Sequence, residues 1–444
     1  MAAYAAAETL VQAGAEPSVA ILEKMPRPGR KIMITGKGRC NFSNIKDWND
    51  FSGHIRSNAS FVKPSFFNLS SRAMLEFLES YGLKTVVERG DRAFPQSYHA
   101  SDVVDTLVNA CLGKGVKMET ECEVRSIVFG KDSFSIQAAD GRKYGCRRLI
   151  IATGGLSYPS SGSSGDGYIW AKAAGHSIKQ CLPSLTALVP KGYKDTAQII
   201  SGGLKGHIDR SSPLSETGQA LCGVQLKNVG LSLAIDGNTV DSVFGDVDFT
   251  DGGIEGPAGF QLSRKAVKAI FNGSRVSLIL DLKSGVPAEE LSGRVDELWE
   301  EVRKDPRSER LREKEKCRIL LGKLMPWNLI PGFTLCNPDI LHVERLPRRG
   351  VKTTVRTAAI AKALKEWVFD LSGYVGYERA VVTAGGVNTD EVIPKTMESR
   401  IASGLYFCGE VLDIDSDTGG YNLQTAFSTG CLAGRSAAKS LILE

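Results

Sequence analysis

Few of the features that mark a membrane, metal-binding or extracellular protein occur in this chain. No uninterrupted apolar run approaches the roughly 18 residues that a membrane-spanning helix needs. Met1 to Gly14 has neither a basic start nor a continuous apolar segment, so no secretory signal is predicted. The ten cysteines are scattered, at 40, 111, 122, 146, 181, 222, 317, 336, 408 and 431, with no C-x-x-C pair among them. That spacing excludes a zinc ribbon and a dense disulfide framework; it predicts no metal site and fits reduced thiols in a cytoplasmic protein. Histidine is scarce too. The five, at 54, 99, 176, 207 and 342, form no Ser-His-Asp order and no ligand cluster, and each reads as a surface or structural residue. Charge of one sign is not in large excess either: 55 Lys and Arg against 50 Asp and Glu leave +5, so general capture of nucleic acid or membrane is not required.

What remains is an ordinary globular composition, 42% hydrophobic and 24% charged, in 444 residues, enough for two or three domains. The most informative stretch is Gly404 to Asp413 (GLYFCGEVLD), followed by Thr418 to Gln424 (TGGYNLQ). Leu405 to Phe407 reads as a short buried strand, Gly409-Glu410 as the turn at its carboxyl end, and Leu423 to Leu432 as a helix starting beyond the glycine pair. A helix amino terminus offers unpaired N–H groups and a positive dipole end, and glycines let the backbone approach an anionic or carbonyl-rich group. Leu149 to Gly155 (LIIATGG) and Ile32 to Asn41 (IMITGKGRCN) share the strand-into-glycine form. Three such crossings predict an α/β sheet whose carboxyl edge holds one large cofactor.

Along the chain, residues 2 to 13 read as a helix closed at Gly14, and Ser18 to Leu22 as the strand after it. Glu23 then ends that strand, at the ribose-binding position of a dinucleotide fold; a surface carboxylate is the alternative. The strand and G-x-G-x-x-G turn that such a fold places ahead of this helix are not found in the sequence. Arg27 to Asn41 carries five basic side chains among its glycines, which suits a loop wrapping a phosphate or polar ring edge, or a solvated basic loop. Helices are predicted at 70–81, capped by Ser71, and at 101–112, capped by Ser101. Strands are predicted near 116–120, 122–129, 133–138 and 149–152, with a turn at Asp140-Gly141. The Gly/Ser stretch 157–167 leads straight into a helix from Tyr168 and reads as an ordered loop, and His176 as an end-of-helix residue. From about 185 to 345 the texture changes to short alternating strands, an inserted domain, after which the nucleotide-fold pattern resumes. Inside it, 289–318 is predicted helical with a break at Pro306. Between 301 and 318, eight Lys/Arg mix with five Asp/Glu, a pattern that fits a solvated face better than an RNA-binding one. Residues 345–352 are more purely basic.

Gly29 to Asn41, Ala152 to Gly155, Phe249-Thr250 with Gly253 to Pro257, Thr383 to Val387, Met397 to Ser399 and Gly404 to Gln424 follow one another along essentially the whole chain. In that order they resemble the BaiN-like (YhiN-like) NAD(P)/FAD-dependent oxidoreductases. The resemblance implies an α/β protein: an FAD-binding Rossmann-like domain of two-dinucleotide type in two parts (1–184 and 346–444), interrupted by a β-rich insert with a helical segment (185–345). Glu23, with Lys24 beside it, would hold the adenosine ribose, and the Val124 backbone would meet the adenine edge. Arg30, Lys31, Gly36, Gly38, Arg39, Cys40 and Asn41 would lie along the flavin and pyrophosphate. Ala152, Thr153, Gly154 and Gly155 would form the second glycine crossing, and Gly409, Glu410 and Asp413 would line the ribitol and phosphates. Gly419, Gly420, Tyr421 and Asn422 would present backbone N–H groups to the flavin N1/O2 edge, where negative charge develops on reduction.

The sequence departs from the family in two places. Members carry a strand and a Gly-rich turn ahead of the helix that here opens at Met1; without them the pyrophosphate lacks its helix-terminus cradle and weak FAD binding is expected unless the chain extends upstream. Asp251-Gly252 stands where members usually carry a histidine and a bulky residue. The implied activity is FAD-dependent reduction of an activated C=C bond with NAD(P)H as donor, hydride going to one carbon and a proton to its neighbour. The substrate would be an enone-like small molecule or a uridine in ribosomal RNA, with no membrane partner. Cys40, Tyr158 and Tyr421 are the candidate proton donors, each with a packing role as its alternative. A thiol is mostly protonated at neutral pH, although Lys37 and Arg39 nearby would pull Cys40 toward thiolate. A reading from a different class is an RNA-associated binding protein that uses the basic clusters 301–318 and 345–352 without turnover.

Overall fold

A computed structural model describes residues 1–195, 204–346 and 350–443. The chain forms two compact units: Met1–Ser184 together with Ala380–Glu444, and Leu185–Arg379 between them. The chain thus leaves the first unit at 184/185 and returns at 379/380, later than the 345/346 boundary expected from the sequence. The reason lies in the strand Trp367–Val375, whose Trp367 and Phe369 are buried and which pairs with Val276–Asp281 inside the insert. Its alternation resembles that of either unit; its partner decides where it belongs.

In the first unit, Ala20–Leu22 pairs in parallel with Lys117–Glu119, and Leu405–Phe407 in parallel with Leu149–Ile151, residue for residue from Leu405 opposite Leu149 to Phe407 opposite Ile151. Leu405, Tyr406 and Phe407 are fully buried, as an apolar run covered on both faces must be. They join Phe51, Phe66, Phe134, Tyr168 and Tyr421 in one core. The carboxy-terminal helix Tyr421–Ile442 runs through this core and packs against the amino-terminal helix Ala2–Gln12. Close approach is possible because Gly434 meets the Ala2 backbone, where a Cβ would collide with the Ala2 carbonyl.

Two caps differ from expectation by one residue or more. Ser70, not Ser71, caps Ser71–Ser80, accepting the Ala73 N–H at 3.2 Å, and the helix Ala100–Gly113 begins after His99, with Ser101 inside it and bonded to Asp102. The larger correction concerns Ile32 to Ile34. This run is not a strand but part of the helical turn Arg30–Ile34, followed by a 3-10 turn at Thr35–Gly38. Three apolar residues are too few to show a period, no partner strand adjoins them among the described residues, and Ile34 is exposed.

The second unit is built on a seven-stranded sheet. Leu188–Pro190, Gly253–Glu255, Asn238–Thr250, Gln225–Ile235, Val276–Asp281 and Trp367–Val375 pair in that order, and the first of these pairs again with Trp367–Val375, closing a barrel; the seventh strand, His207–Ile208, lies parallel to Trp367–Val375. Leu231, Leu233, Leu278 and Leu280 fill it, while Ser232 and Ser242, on the alternate face, bond each other at 2.8 Å. The expected charged segment is the helix Ala288–Lys304, a short 3-10 turn at Pro306–Ser308, and the helix Glu313–Leu324. Leu291, Val295, Leu298 and Val302 make the buried stripe of the first of these. No helix among the described residues is long and apolar enough to cross a membrane.

Candidate cofactor site

The predicted residues gather in the first unit as three adjoining groups. The first lies beyond the parallel pair Ala20–Leu22 and Lys117–Glu119. Glu23 donates its N–H to Glu119 and accepts from Cys122, so the strand end leads directly to Val124, the first residue of the next strand. The Glu23 carboxylate accepts the Met25 N–H at 2.8 Å, and burial pushes its pKa up against the pull of that bond and of Lys24 and Arg30. Lys24 reaches the Gly/Ser loop, pairing with Asp166 at 2.7 Å and bonding Ser164.

The second group centres on Glu410. The turn Gly409–Val411 follows the buried strand Leu405–Phe407 and directs Glu410 to Lys31, with which it forms an ion pair, and to the Thr383 N–H at 2.8 Å. Thr383 is buried, and its Oγ1 accepts the N–H groups of Leu156 and Ser157 at 2.9 and 3.2 Å. Gly155 has no room for a side chain: a Cβ there would lie 2.6 Å from the Thr383 hydroxyl. Glycine is therefore required at the end of the Ala152-Thr153-Gly154-Gly155 crossing. Asp413 lies just beyond, its N–H donated to the Val387 carbonyl at 3.0 Å. Sequence reasoning quoted Thr383 only as part of a motif; a hydroxyl residue amid glycines was the signal that it fastens a loop.

The third group is the start of the helix Tyr421–Ile442. Gly419 and Gly420 have φ of +117° and +95°, and no side chain caps the helix. The segment Asn41 to Asn44 lies against this turn. Asn44 donates to the Gly419 carbonyl at 3.2 Å, Ser43 to Gln424 at 2.7 Å, and a Cβ on Gly420 would collide with the Ser43 carbonyl and approach Asn41 Oδ1. Asn41 Oδ1 is buried with no hydrogen-bond partner among the described residues. The Asn422 side chain is spent on the loop before the helix, accepting from Ser416 and donating to the carbonyls of Ser416 and Asp417, so only its backbone N–H faces outward use. Tyr421 is buried between Phe51 and His54, whose ring stacks on it at 4.2 Å; burial, with Asp417 nearby, raises its pKa. His54 in turn contacts Asp417 at 3.0 Å, a buried carboxylate that Arg56 also holds. The sequence reading of His54 as a surface or structural residue did not place it at this helix start.

The proton-donor candidates are placed unequally. Cys40 is fully buried beside Phe42, Met74 and Leu78, and burial pushes its thiol up to about 12. Lys37 and Arg39 do not counter this: both are exposed, and the Arg39 guanidinium lies over Phe94, 5.1 Å from the ring centre. Tyr158 is half-buried in the left-handed region, φ +53°, at the head of a 3-10 turn. Arg30, Gly36 and Gly38 border the same segment, Gly36 against the Asn41 N–H. In the inserted unit, Asp251 pairs with Arg379 at 2.6 Å, and Arg379 also holds Glu255.

Orphaned donors at an uncapped helix start and an orphaned acceptor on Asn41, in the same unit as the basic Lys24, Arg30 and Lys31, fit an anionic dinucleotide with a polar ring at one end. Two separate parallel strand pairs, not the single sheet expected, have their carboxyl ends at such turns, as strands of a Rossmann-like nucleotide-binding domain do. The chain belongs to the HI0933-like family of FAD-dependent oxidoreductases: the sequence model of the HI0933-like protein Rossmann domain matches residues 1–436. It is 31% identical to a 3-dehydro-bile acid delta(4,6)-reductase of Clostridium scindens, over 98% of this chain and 96% of that one. It is 28% identical to a ribosomal RNA dihydrouridine synthase of Escherichia coli, over 95% of this chain and 93% of the other. Among solved structures, 3-ketosteroid-delta4-(5alpha)-dehydrogenase from Rhodococcus jostii RHA1 aligns with a TM-score of 0.42 at 14% identity, over 98% of this chain and 94% of that one.

Proposed function

We propose that this protein binds FAD in the first unit and reduces a C=C bond conjugated to a carbonyl, with NAD(P)H as electron donor. The observation that carries the reading is the uncapped start of the helix Tyr421–Ile442, with the partnerless Asn41 Oδ1 beside it. The two relatives are named for a delta(4,6)-reductase and a dihydrouridine synthase, and a 3-oxo-4-ene and the uracil 5,6-bond share that conjugation. Bound FAD would supply a two-electron relay between NAD(P)H and the double bond. The protein's part is to hold and polarise it. Glu23, Lys24 and the Val124 backbone would hold the adenosine end, Lys31, Glu410 and the Gly154-Gly155 turn the middle, and Asn41 with the Gly420 to Asn422 backbone the ring edge. N–H groups and a helix dipole preset at that edge stabilise negative charge without reorganising. For the proton, Tyr158 is better exposed than Cys40 and is the candidate favoured here.

The test is the absorption spectrum of the purified protein reconstituted with FAD and mixed with NADH or NADPH under anaerobic conditions. Bleaching of the flavin band, then its return on adding a 4-en-3-one steroid or a uridine-containing ribosomal RNA, is expected. Bleaching that no conjugated acceptor reverses would overturn the proposed reaction.

A further inference from the structure

The stretch from Arg310 to Arg356 in the inserted unit holds eleven Lys and Arg against four Asp and Glu, a net of +7 where the whole chain has +5. On the neighbouring helix Ala288–Lys304 the cations are neutralised, Arg294 by Glu297 and both Arg303 and Lys304 by Glu300. Farther on the neutralisation is partial: Arg312 pairs with Glu315, Lys316 with Glu313 and Lys323 with Glu301. Lys314 and Arg318, four residues apart on an exposed line of the helix Glu313–Leu324, form no ion pair among the described residues. The Arg318 guanidinium lies over the ring of Trp327, 5.9 Å from its centre, and that indole is 56% exposed. Gly322, next on the line, lets the ring come close, since a Cβ there would lie 2.5 Å from it.

The antiparallel ribbon Leu341–Leu346 and Gly350–Val355 adjoins the same helix. Pro347 to Arg349, within the basic run 345–352 singled out by sequence, lie outside the described residues. In the ribbon, Arg345 stands opposite Val351 and Lys352 opposite Glu344, and Val343 and Val351 are 58% and 61% exposed. A two-stranded ribbon with bare valines gains little from its own packing, and an exposed indole under a guanidinium gains little from water.

We propose that this face binds RNA, with Trp327 and Arg318 as a stacking platform for an unpaired base and Lys314 and Lys352 on flanking phosphates. A flat aromatic face among dispersed cations matches bases strung on a phosphate chain, whereas an acidic protein would be met by charge alone. The face would retain an RNA that carries the reducible uridine, and in that respect it rests on the reductase reading above.

The test uses the full-length protein with FAD and a fluorescein-labelled RNA hairpin bearing a uridine-rich loop, followed by anisotropy over a KCl series. Lys314→Gln with Lys352→Gln should lower the slope of log K against log [KCl] by about 2, one for each phosphate contact. Trp327→Ala should weaken binding about 5- to 100-fold with the slope unchanged. Both variants should keep the flavin spectrum and the NADPH-driven reduction of a small soluble enone. Wild-type affinity and slope in both variants, or polyglutamate bound as tightly as RNA, would overturn the RNA face. Absence of enone reduction in every form, with the RNA effects intact, would instead tell against the reductase reading alone.

Discussion

Gly420 holds a backbone conformation that side chains resist, φ +95°, and the Ser43 carbonyl occupies the space a Cβ would need. Because that obstacle is backbone and not a flexible side chain, Gly420→Ala must displace either the segment Asn41 to Asn44 or the helix start. Both present the proposed ring-edge groups, so FAD retention should fall at least tenfold while the far-ultraviolet circular dichroism of the remaining helix persists; fluorescence quenching on FAD titration measures it. Cys40 makes the opposite case. Its thiol remains protonated, as a donor should, but it is walled off by Phe42, Met74 and Leu78. Cys40→Ala should therefore cost about 1–2 kcal/mol of stability through lost packing and leave the rate of substrate-driven flavin reoxidation unchanged in stopped flow. A reoxidation rate that falls while reduction by NADPH is normal would instead make Cys40 the proton source.

Elements show where sequence reasoning holds and where it stops. The strand Leu405–Phe407, the turn Gly409–Val411 and the helix beyond the Gly419-Gly420 pair were legible because apolar runs bounded by glycine have few alternatives. The Thr383 clasp on Leu156 and Ser157 was not, since it joins residues far apart in the chain. Thr383→Val keeps the shape and strands two N–H groups, so a loss of about 2–4 kcal/mol in urea unfolding is expected. Nor was His176 legible as more than a helix end. It is 3% exposed, with Nε2 2.7 Å from Ser399 Oγ and Nδ1 3.2 Å from Glu391 Oε2. Ser399 Oγ already accepts the N–H groups of Ile401 and Ala402, so its own proton goes to Nε2 and the ring carries its hydrogen on Nδ1. Burial lowers the His176 pKa despite the opposing pull of Glu391, so the folded ring stays neutral where an unfolded one takes a proton, near pH 6.5. The unfolded state then binds more protons, and stability falls as pH drops below about 6.5. Glu391, whose pKa is lowered, loses its contribution only below about pH 4.5. Between about pH 7 and 5, His176→Gln should therefore flatten the fall in melting temperature seen in the wild type.

At the scale of the whole molecule, the break between units lies at a place where removal of the insert can be tested. Ser184 stands opposite Val382 and Pro183 opposite Thr383 in the antiparallel pair Ile178–Ser184 and Val382–Val387, so the points where the chain leaves and re-enters the first unit are neighbours. The sequence showed the departure, where texture changes, but not the return, because a strand's membership depends on its partner. Bridging Ser184 to Ala380 with a short Gly/Ser linker closes a small loop at little entropic cost, and it leaves Glu23, Lys31, Asn41, Glu410 and Gly420 in one unit. The shortened protein should stay folded and retain FAD within a few-fold of the full chain. It should also lose RNA binding, because Trp327, Lys314 and Lys352 leave with the insert. Flavin absorbance after gel filtration and anisotropy of the labelled hairpin read the two outcomes separately. A shortened chain that folds but comes out colourless would move part of the cofactor site into the insert, whereas one that still binds the hairpin with the full salt dependence would move the RNA face out of it.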